Sequence, residues 1–493
     1  MGPAEAIVHS DRRFTYTEAR SSILALARVL SDNGVRSGMT VAAVTKNHPE
    51  SIFLQLALHL LGCRTGFVAT YAPHRDQLDF IEHAGAQVLI HDSGMAGELI
   101  RDAVAQADRP VLCLGPEGDG PDLLAAMESA GGELVPAGAA EPESLFYTSG
   151  TTGQPKLVLH RHRFYQALFM GGQFYRASGE PAMRHLGIPA FSTTSGQMPA
   201  LLALFQGGAA ILAAGFGMTE FLTTIVAERI TSTFLSPLRL AEVLDEPALA
   251  DTDCSGLRYL NVGGSAPSPG LVKRAIERFG PVIRVVYGLT EVPLVADYPF
   301  LPLDPDHPER LGSCGKAFAD NRIEVRDDQG KSLPTGETGE VWVAGSLTMD
   351  EYLGQPGLTS ETLVDGWCRT GDLGYLDSDG FLYLVDRAKD VVITGKGAAK
   401  VYSRVVEDQL LTHPEVRAAA VIGVPDDELG EAVHAFVTPA PGATVTAAEL
   451  RDLVAGELKE LYAPREIEFT NDLPLTPMDK IDKKALRARY HGK

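Results

Sequence analysis

Short apolar runs alternate with amphipathic segments along most of this chain. Residues 17–33 carry apolar side chains at helical spacing, residues 40–44 form a β-rich run, and residues 51–61 are again helical. Further strand-like runs follow at 88–90, 209–212 and 282–287. Strands that are apolar throughout, with helices between them, are typical of largely parallel sheets covered on both faces. The pattern therefore predicts an α/β fold with buried strands.

The pattern changes towards the C-terminus. From about residue 312, shorter β-rich segments such as 323–325 and 340–343 are separated by Asp/Gly turns. Beyond these, 391–393 and 418–422 read as strands, and 405–411 and 447–458 read as helices. A chain of 493 residues exceeds what one hydrophobic core usually supports. We therefore expect layered α/β sheets, then a β-rich subdomain, then a small α+β unit.

Charge and cysteine content narrow the functional classes. The formal net charge of −21 is spread along the chain, so nucleic acid and anionic membranes are poor partners. The five cysteines are far apart and form no C-x-x-C pair, which favours reduced thiols without a zinc site. The sequence contains neither a secretory leader pattern nor an apolar run of about 18 residues. These features predict a cytoplasmic protein, neither exported nor inserted in a membrane.

The run Y-T-S-G-T-T-G-Q-P-K at residues 147–156 has the chemistry of a phosphate-binding loop. Gly150 and Gly153 allow a tight turn close to a polyanion, the hydroxyls and N–H groups donate to phosphate oxygens, and Lys156 adds a cation. It differs from a P-loop because its lysine follows a proline and precedes no hydroxyl. Taken alone, the run also fits a polar surface loop.

Further motifs follow this loop in a fixed order. They read Y-G-L-T-E at 287–291, W-C-R-T-G-D-L-G at 367–374, D-R-A-K-D at 386–390 and P-L-T-P-M-D-K-I at 474–481. Together with T-S-G-T-T-G-Q-P-K at 148–156, they resemble the signature motifs of the adenylate-forming superfamily of acyl- and aryl-CoA synthetases, luciferases and peptide-synthetase adenylation domains. The resemblance spans nearly the whole chain. It implies an ATP-dependent, AMP-forming ligase but leaves the substrate open.

The resemblance also implies a domain boundary. Residues 1–386 would form the adenylating N-terminal domain, with the β-rich subdomain from about residue 312. Residues 387–493 would form a small mobile lid, with Lys389 as the hinge. In the family this domain rotates between an adenylating pose and a second-step pose. Lys480 would reach the site in the first pose and leave it in the second.

The resemblance identifies Lys480, Thr290 and Glu291 as catalytic candidates. Lys480 matches a lysine that contacts the reacting oxygens and the α-phosphate, where a fixed cation stabilises developing charge. Glu291 resembles the family's Mg²⁺ ligand, and Thr290 would bond the α-phosphate; one carboxylate plus phosphate oxygens is a usual magnesium arrangement. On composition alone, Lys480 is a solvated lysine and Glu291 is one of 64 acidic residues.

The nucleotide would be held by residues from every motif. Asp372, which could otherwise merely end a turn, would accept both ribose hydroxyls as an acceptor-only group, and Arg387 would contact the ribose or phosphate. Gly263, Gly264 and Ser265 would line the adenine and acid pocket. The full set of predicted ATP-binding residues is Thr148, Ser149, Gly150, Thr151, Thr152, Lys156, Gly263, Gly264, Ser265, Tyr287, Gly288, Asp372 and Arg387.

One departure from the family pattern concerns the acid pocket. Where the family reads P-x-F-H-x-x-G, this chain reads P-A-F-S-T-T-S-G at 189–196. Phe191, Ser192 and Thr193 are therefore predicted to line a pocket more polar than one built for an alkyl chain, because unpartnered buried hydroxyls cost about 1–3 kcal/mol each. The alternative is a hydroxyl-rich helix cap.

A second departure follows the hinge. CoA-using relatives typically read D-x-I-x-x-G-G-x-N-I-x-P-x-E-I-E, whereas residues 390–407 are longer by two and lack the Asn and Pro. This loop helps form the pantetheine tunnel in the family, so CoA as the acceptor is in question. A neutral insertion is the alternative, since loops tolerate length changes cheaply. Asp479 also replaces a family glycine beside Lys480.

These features leave several hypotheses. The first is an acyl- or aryl-CoA ligase that uses ATP and Mg²⁺. The second is a diazotase that activates nitrite with ATP for transfer to an aryl amine. A hypothesis of another class is a non-catalytic nucleotide-binding relative, which the retention of Lys480 argues against. The expected partners are a small acid or nitrite and a thiol or amine acceptor, and the expected assembly is a monomer or homodimer.

Overall fold

A computed structural model describes residues 2–95, 97–106, 108–129, 141–148, 156–213, 215, 217–298, 307–395, 399–476 and 480–490. Helices and strands are numbered in chain order. The helices are α1 (Tyr16–Asp32), α2 (Pro49–Leu60), α3 (His74–His83), α4 (Gly97–Gln106), α5 (Leu123–Ser129), α6 (His162–Ala177), α7 (Thr194–Gln206), α8 (Met218–Ala227), α9 (Pro237–Asp245), α10 (Pro269–Phe279), α11 (Pro356–Thr362), α12 (Ser403–Leu410), α13 (Ala447–Leu458) and α14 (Lys483–Ala488).

The strands fall into several sheets. They are β1 (Glu5–His9), β2 (Arg12–Thr15), β3 (Thr40–Val44), β4 (Arg64–Phe67), β5 (Val88–Asp92), β6 (Val111–Leu114), β7 (Glu143–Thr148), β8 (Lys156–His160), β9 (Arg184–Gly187), β10 (Ala209–Leu212), β11 (Ser232–Leu235), β12 (Tyr259–Val262), β13 (Ile283–Leu289), β14 (Val292–Tyr298), β15 (Lys316–Ala317), β16 (Arg322–Arg326), β17 (Gly339–Ala344), β18 (Glu351–Tyr352), β19 (Leu363–Val364), β20 (Trp367–Leu376), β21 (Leu382–Arg387), β22 (Val392–Thr394), β23 (Ala399–Val401), β24 (Val416–Asp426), β25 (Gly430–Pro439) and β26 (Glu466–Phe469).

Two large, mainly parallel sheets form the bulk of the molecule. One runs in the order β15-β14-β13-β12-β11-β9-β10-β1-β2, and the other in the order β18-β8-β7-β4-β3-β5-β6. Their central strands pair in parallel, as in β3 with β4 and β5 and in β12 with β11 and β13. The predicted α/β class with buried, largely parallel strands is therefore confirmed.

Local sequence explains how these layers form. Strand β3 is buried along its whole length, which suits a strand with neighbours on both sides and helices on both faces. Helix α1 begins at a capping box in which Thr15 and Glu18 satisfy each other's backbone N–H groups, and it buries Leu26 and Leu30 against the sheet. Its bounds agree with the predicted segment 17–33 to within one residue at each end.

The β-rich and C-terminal segments form separate sheets. One sheet has the order β16-β17-β20-β19, with β21 beside β20, and another has the order β23-β22-β25-β24, with β26 beside β25. The last sheet packs with α12 and α13 around a core that includes Val406, Leu410 and Leu450. The predicted small α+β unit is thus present, while the exact boundary at residue 387 stays a prediction. Among the described residues, no helix is long and apolar enough to cross a membrane.

Candidate active site

The ends of the predicted phosphate loop lie side by side. Thr148 is the last residue of β7 and Lys156 the first residue of β8, and the two residues pair directly in the antiparallel ladder. The two residues that flank the predicted loop are therefore direct neighbours. The predicted loop residues Ser149, Gly150, Thr151 and Thr152 lie outside the described residues.

Lys156 and Glu291 are linked by one aromatic side chain. The Lys156 Nζ lies 5.0 Å from the centroid of the Tyr352 ring. The Tyr352 hydroxyl donates to Glu291 Oε1 at 2.5 Å. Burial, followed by the negative charge of Glu291, raises the pKa of Tyr352, so the hydroxyl stays protonated and acts as a donor.

The turn that carries Thr290 and Glu291 joins β13 to β14. The His160 Nε2–H donates to the Thr290 carbonyl at 2.8 Å, and the Met349 N–H donates to the Glu291 carbonyl at 2.7 Å. Burial lowers the pKa of His160 to about 4, so this ring is neutral near pH 7 and its Nε2 carries the proton opposite the carbonyl. The backbone of the Thr-Glu pair is therefore fixed from two sides.

Asp372 and Arg387 face each other across neighbouring strands. They are register partners in the β20–β21 ladder, and Arg387 Nε lies 2.9 Å from Asp372 Oδ1. The Tyr287 hydroxyl donates to Asp372 Oδ2 at 2.6 Å. Asp372 as a whole residue is 5% exposed. Because a carboxylate offers about four acceptor positions, two protein donors leave room for two hydroxyls.

The turn after β12 requires glycine. A Cβ on Gly263 would lie 2.7 Å from Val286 Cγ2, and Gly264 has φ of +87°. A Cβ on Gly264 would lie 3.8 Å from Lys480 Cε, so the lysine side chain passes directly over this turn. Ser265 follows on the exposed side. Gly288 is equally restricted, because a Cβ there would lie 2.2 Å from the Pro293 carbonyl oxygen.

Lys480 enters this cleft from the C-terminal segment. Its backbone carbonyl accepts from the Thr476 N–H at 2.6 Å, which anchors the residue. Burial and the nearby Arg387 cation lower the pKa of Lys480 to about 8, although Asp372 opposes the shift. The charges of Arg387 and Asp372 therefore act on Lys480, although more than 90 residues separate the lysine from the other two.

The chain around residue 191 shows how the predicted acid-pocket residues are used. Phe191 is buried and meets Phe67 edge to face at 5.1 Å, and its N–H donates to Asn47 Oδ1 at 2.8 Å. The Thr193 hydroxyl caps α7 by accepting from the Gly196 N–H at 3.1 Å and donates to the Ala190 carbonyl at 2.7 Å. The Thr193 hydroxyl thus has partners of its own, as in a helix cap. The assignment of Phe191, Ser192 and Thr193 to the substrate pocket stays a prediction.

The segment around the predicted hinge joins β21 to β22. Lys389 lies between these strands, and its pKa is lowered by burial and then by neighbouring cations. Arg487 Nη2 contacts Asp390 Oδ1 at 2.7 Å, so the last helix is tied to the residue after the predicted hinge. Asp479, singled out in the sequence, lies outside the described residues.

Sequence reasoning missed Tyr352 and His160. Neither belongs to a recognised motif, and each reaches the site through a contact distant in the chain: 61 residues for Tyr352 to Glu291 and 130 for His160 to Thr290. The available signal was position alone, since His160 ends the strand that Lys156 begins. An apolar strand with one polar residue at its end does not predict which carbonyl that residue will contact.

Comparisons with known proteins agree with this geometry. The model of the AMP-binding enzyme family matches residues 2–353, and that of the AMP-binding enzyme C-terminal domain matches residues 405–480. The chain is 33% identical to the medium/long-chain-fatty-acid–CoA ligase FadD8 of Mycobacterium tuberculosis, over 97% of this chain and 86% of that one. It is 32% identical to a feruloyl-CoA synthase of an Amycolatopsis species, over 99% of this chain and 97% of that one.

Among solved structures, the amide bond synthetase McbA from Marinactinospora thermotolerans is similar throughout. The TM-score is 0.88 and the sequence identity is 34%, over 99% of this chain and 97% of that one. Similarity therefore extends to relatives whose names include both thioester-forming and amide-forming enzymes.

Proposed function

The chain belongs to the AMP-binding enzymes, and we propose that its cleft joins a small carboxylic acid to AMP before passing the acyl group to an acceptor. It is an ATP-dependent, AMP-forming ligase of the acyl- and aryl-CoA ligase type. The hypothesis of a non-catalytic relative is therefore set aside. The nitrite alternative finds support only at the level of the superfamily.

ATP would lie between the glycine turn and the β20–β21 edge. Asp372 accepts the ribose hydroxyls, and Arg387, already paired with Asp372, contacts the ribose or α-phosphate. The adenine base is lined by Gly263, Gly264, Ser265, Tyr287 and Gly288. The phosphates would be held by Thr290 and by the loop from Thr148 to Lys156. This role fits the position of the Lys156 cation at the start of β8, directly opposite the end of β7.

Glu291 has the chemistry to hold Mg²⁺. The described residues contain no cluster of three side chains able to bind a metal ion, so the ion would be held by one carboxylate together with phosphate oxygens. The Tyr352 hydroxyl fixes one carboxylate oxygen, so the other is available as a hard oxygen ligand. When bound, Mg²⁺ would neutralise phosphate charge and orient the leaving pyrophosphate.

Lys480 is the residue on which the chemistry would depend. A carboxylate oxygen of the acid attacks the α-phosphorus, the bond from that phosphorus to the bridging oxygen breaks, and pyrophosphate leaves with the electron pair. The Lys480 cation stabilises the charge that builds up on these oxygens. The position of Lys480 over Gly264, within range of the charges of Arg387 and Asp372, is the single observation that carries this proposal.

For the second step, CoA is the first candidate acceptor. Attack of its thiolate on the acyl carbonyl would release AMP and form a thioester, the type of product named for the curated relatives. An amine is the second candidate, with an amide as the product. It is supported by the longer segment 390–407 and by the similarity to an amide bond synthetase over 99% of the chain.

Pyrophosphate release would test the first step. ATP, Mg²⁺ and a panel of fatty, aromatic and amino acids are supplied without any acceptor, and the trapped adenylate is identified by mass. We expect release with a subset of acids, and we expect Lys480→Ala to lower it by about 10²-fold or more while ATP binding persists. Lys484→Ala, an exposed lysine of the same segment, is the matched control. Near wild-type release by Lys480→Ala would contradict the proposal.

A further inference from the structure

Tyr352 is a rigid side chain outside every motif that the sequence revealed. It pairs with Val158 in the β18–β8 ladder, at the strand that Lys156 begins. The residue is 3% exposed, and its side chain packs with Phe146, Val158 and Met349 in a small buried cluster. Packing of this kind leaves the ring little freedom to move.

Two groups of opposite charge contact the Tyr352 side chain. The Lys156 Nζ lies over the ring face at 5.0 Å, within the range of a cation–π interaction. The hydroxyl at the far end of the ring donates to Glu291 Oε1 at 2.5 Å. The ring therefore separates a cation at the mouth of the phosphate loop from a carboxylate at the β13–β14 turn.

We propose that Tyr352 is a positioning residue for adenylate formation, which sets the separation between Lys156 and Glu291. The inference rests on the proposed roles of these two residues in binding phosphate and Mg²⁺. By holding Oε1, the hydroxyl fixes the rotation of the carboxylate and presents Oε2 to the ion. Magnesium demands near-ideal octahedral geometry, so a carboxylate free to rotate is a poorer ligand. The ring acts separately, because it keeps the lysine cation at the mouth of the loop.

The two halves of the proposal can be separated by two substitutions. Tyr352→Phe removes the hydroxyl and keeps the ring, whereas Tyr352→Leu removes both. ATP binding to the full chain is measured by calorimetry, with Mg²⁺ and with EDTA. We expect Tyr352→Phe to weaken ATP binding about tenfold in Mg²⁺ and to leave it unchanged in EDTA. We expect Tyr352→Leu to weaken it under both conditions.

Two further variants serve as references. Tyr383→Phe removes a tyrosine hydroxyl that donates to a carboxylate elsewhere, Asp377 at 3.3 Å, and should match the wild type. Glu291→Gln should lose the effect of Mg²⁺ on ATP affinity. Lys156→Met, which leaves the Tyr352 ring in place, removes the cation that the ring contacts and should weaken ATP binding in EDTA. If Lys156→Met weakens ATP binding in EDTA and a folded Tyr352→Leu does not, the ring has no positioning role.

Different results would overturn different statements. If Glu291→Gln alters the effect of Mg²⁺ on ATP affinity but Tyr352→Phe does not, Tyr352 has no positioning role. The inference then fails, while the proposed function stands. If Tyr352→Phe loses the same affinity with and without Mg²⁺, the hydroxyl serves packing only, and the inference again fails. If Glu291→Gln leaves the effect of Mg²⁺ unchanged, the proposed metal site itself is wrong.

Discussion

The role proposed for Lys480 predicts that the first step is sensitive to alkaline pH. Burial and Arg387 lower the pKa of Lys480 to about 8, so the cation is present below that pH and is lost as the pH rises through it. Because the transition state needs the charge, kcat/KM for ATP should fall above about pH 8. Lys480→Arg should lack this alkaline limb, since a guanidinium stays charged. A flat wild-type profile, or an unchanged limb in Lys480→Arg, would contradict the assignment.

Asp372 offers a second test at the level of one residue. Hydrogen bonds to a carboxylate are worth about 1.5–3 kcal/mol, so Asp372→Ala should weaken ATP binding by tenfold or more. If the carboxylate binds the ribose hydroxyls, the variant should also lose any preference for ATP over 2′-deoxy-ATP. Tyr287→Phe, which removes one protein donor and keeps the carboxylate, is the control and should keep that preference. The affinities for ATP and 2′-deoxy-ATP are measured by calorimetry. If Asp372→Ala still prefers ATP over 2′-deoxy-ATP, the ribose binds elsewhere.

At the scale of elements, α12 is held against β21, the last strand before the predicted hinge. Asp386, in β21, accepts from the Ser403 N–H at 2.5 Å and from its hydroxyl at 2.9 Å, at the first residue of α12. Lys483 joins the group through the Ser403 hydroxyl at 2.8 Å and Glu407 at 2.7 Å. Counted back from Glu407, Ser403 stands where CoA-using relatives have proline. Proline lacks an N–H, so this cap depends on the altered sequence.

This cap predicts a measurable loss of stability. Removal of a helix cap costs about 0.5–2 kcal/mol, so Asp386→Ala should lower the free energy of unfolding in urea by about that amount. Loss of the contact should also speed proteolysis after the hinge, because α12 would no longer be tied to β21. Asp328→Ala, at an exposed turn, is the control and should change neither. Identical unfolding curves for Asp386→Ala and the wild type would show that α12 is held by apolar packing alone.

Elements with a local cause were predictable from sequence. The strand over residues 40–44 and the helix over 447–458 agree with β3 and α13 residue for residue, because burial pattern and a capping box act within a few neighbours. The structural context of Asp372 was harder to predict, because the sequence Thr-Gly-Asp is compatible both with a turn and with the interior of a long strand. It lies inside β20, and only the register with β21 brings Arg387 opposite it. The contact of Tyr352 with Glu291 depends on how strands distant in the sequence pack together, and the hydrophobic periodicity of the sequence does not predict this packing.

At the scale of the whole molecule, the product depends on which nucleophile reaches the adenylate. If Lys389 is the hinge, as predicted, delivery of Lys480 and entry of an acceptor both depend on the segment that follows it, and one stretch of chain would serve both steps. Residues 390–407 are two longer than the typical CoA-ligase pattern, and Lys400 stands where that pattern has asparagine. A changed loop can leave adenylation intact and still alter the path of the acceptor.

If the longer segment no longer shapes a pantetheine tunnel, CoA should change neither the rate nor the product, and an amine should give an amide. The physical reason is that a thiol must be held at attacking distance, and a misplacement of about 1 Å can cost around 10²-fold. The measurement is product mass after incubation with ATP, Mg²⁺ and an acid accepted in the first step, with CoA, with an aryl amine and with neither. A variant shortened by two residues within 390–407 is the matched comparison, and it should gain thioester formation while its pyrophosphate release stays the same. Efficient, CoA-saturable thioester formation by the wild type would instead mean that the insertion is neutral. In that case Lys400 would be placed to meet the phosphates of CoA, and the acceptor would be the one named for the curated relatives.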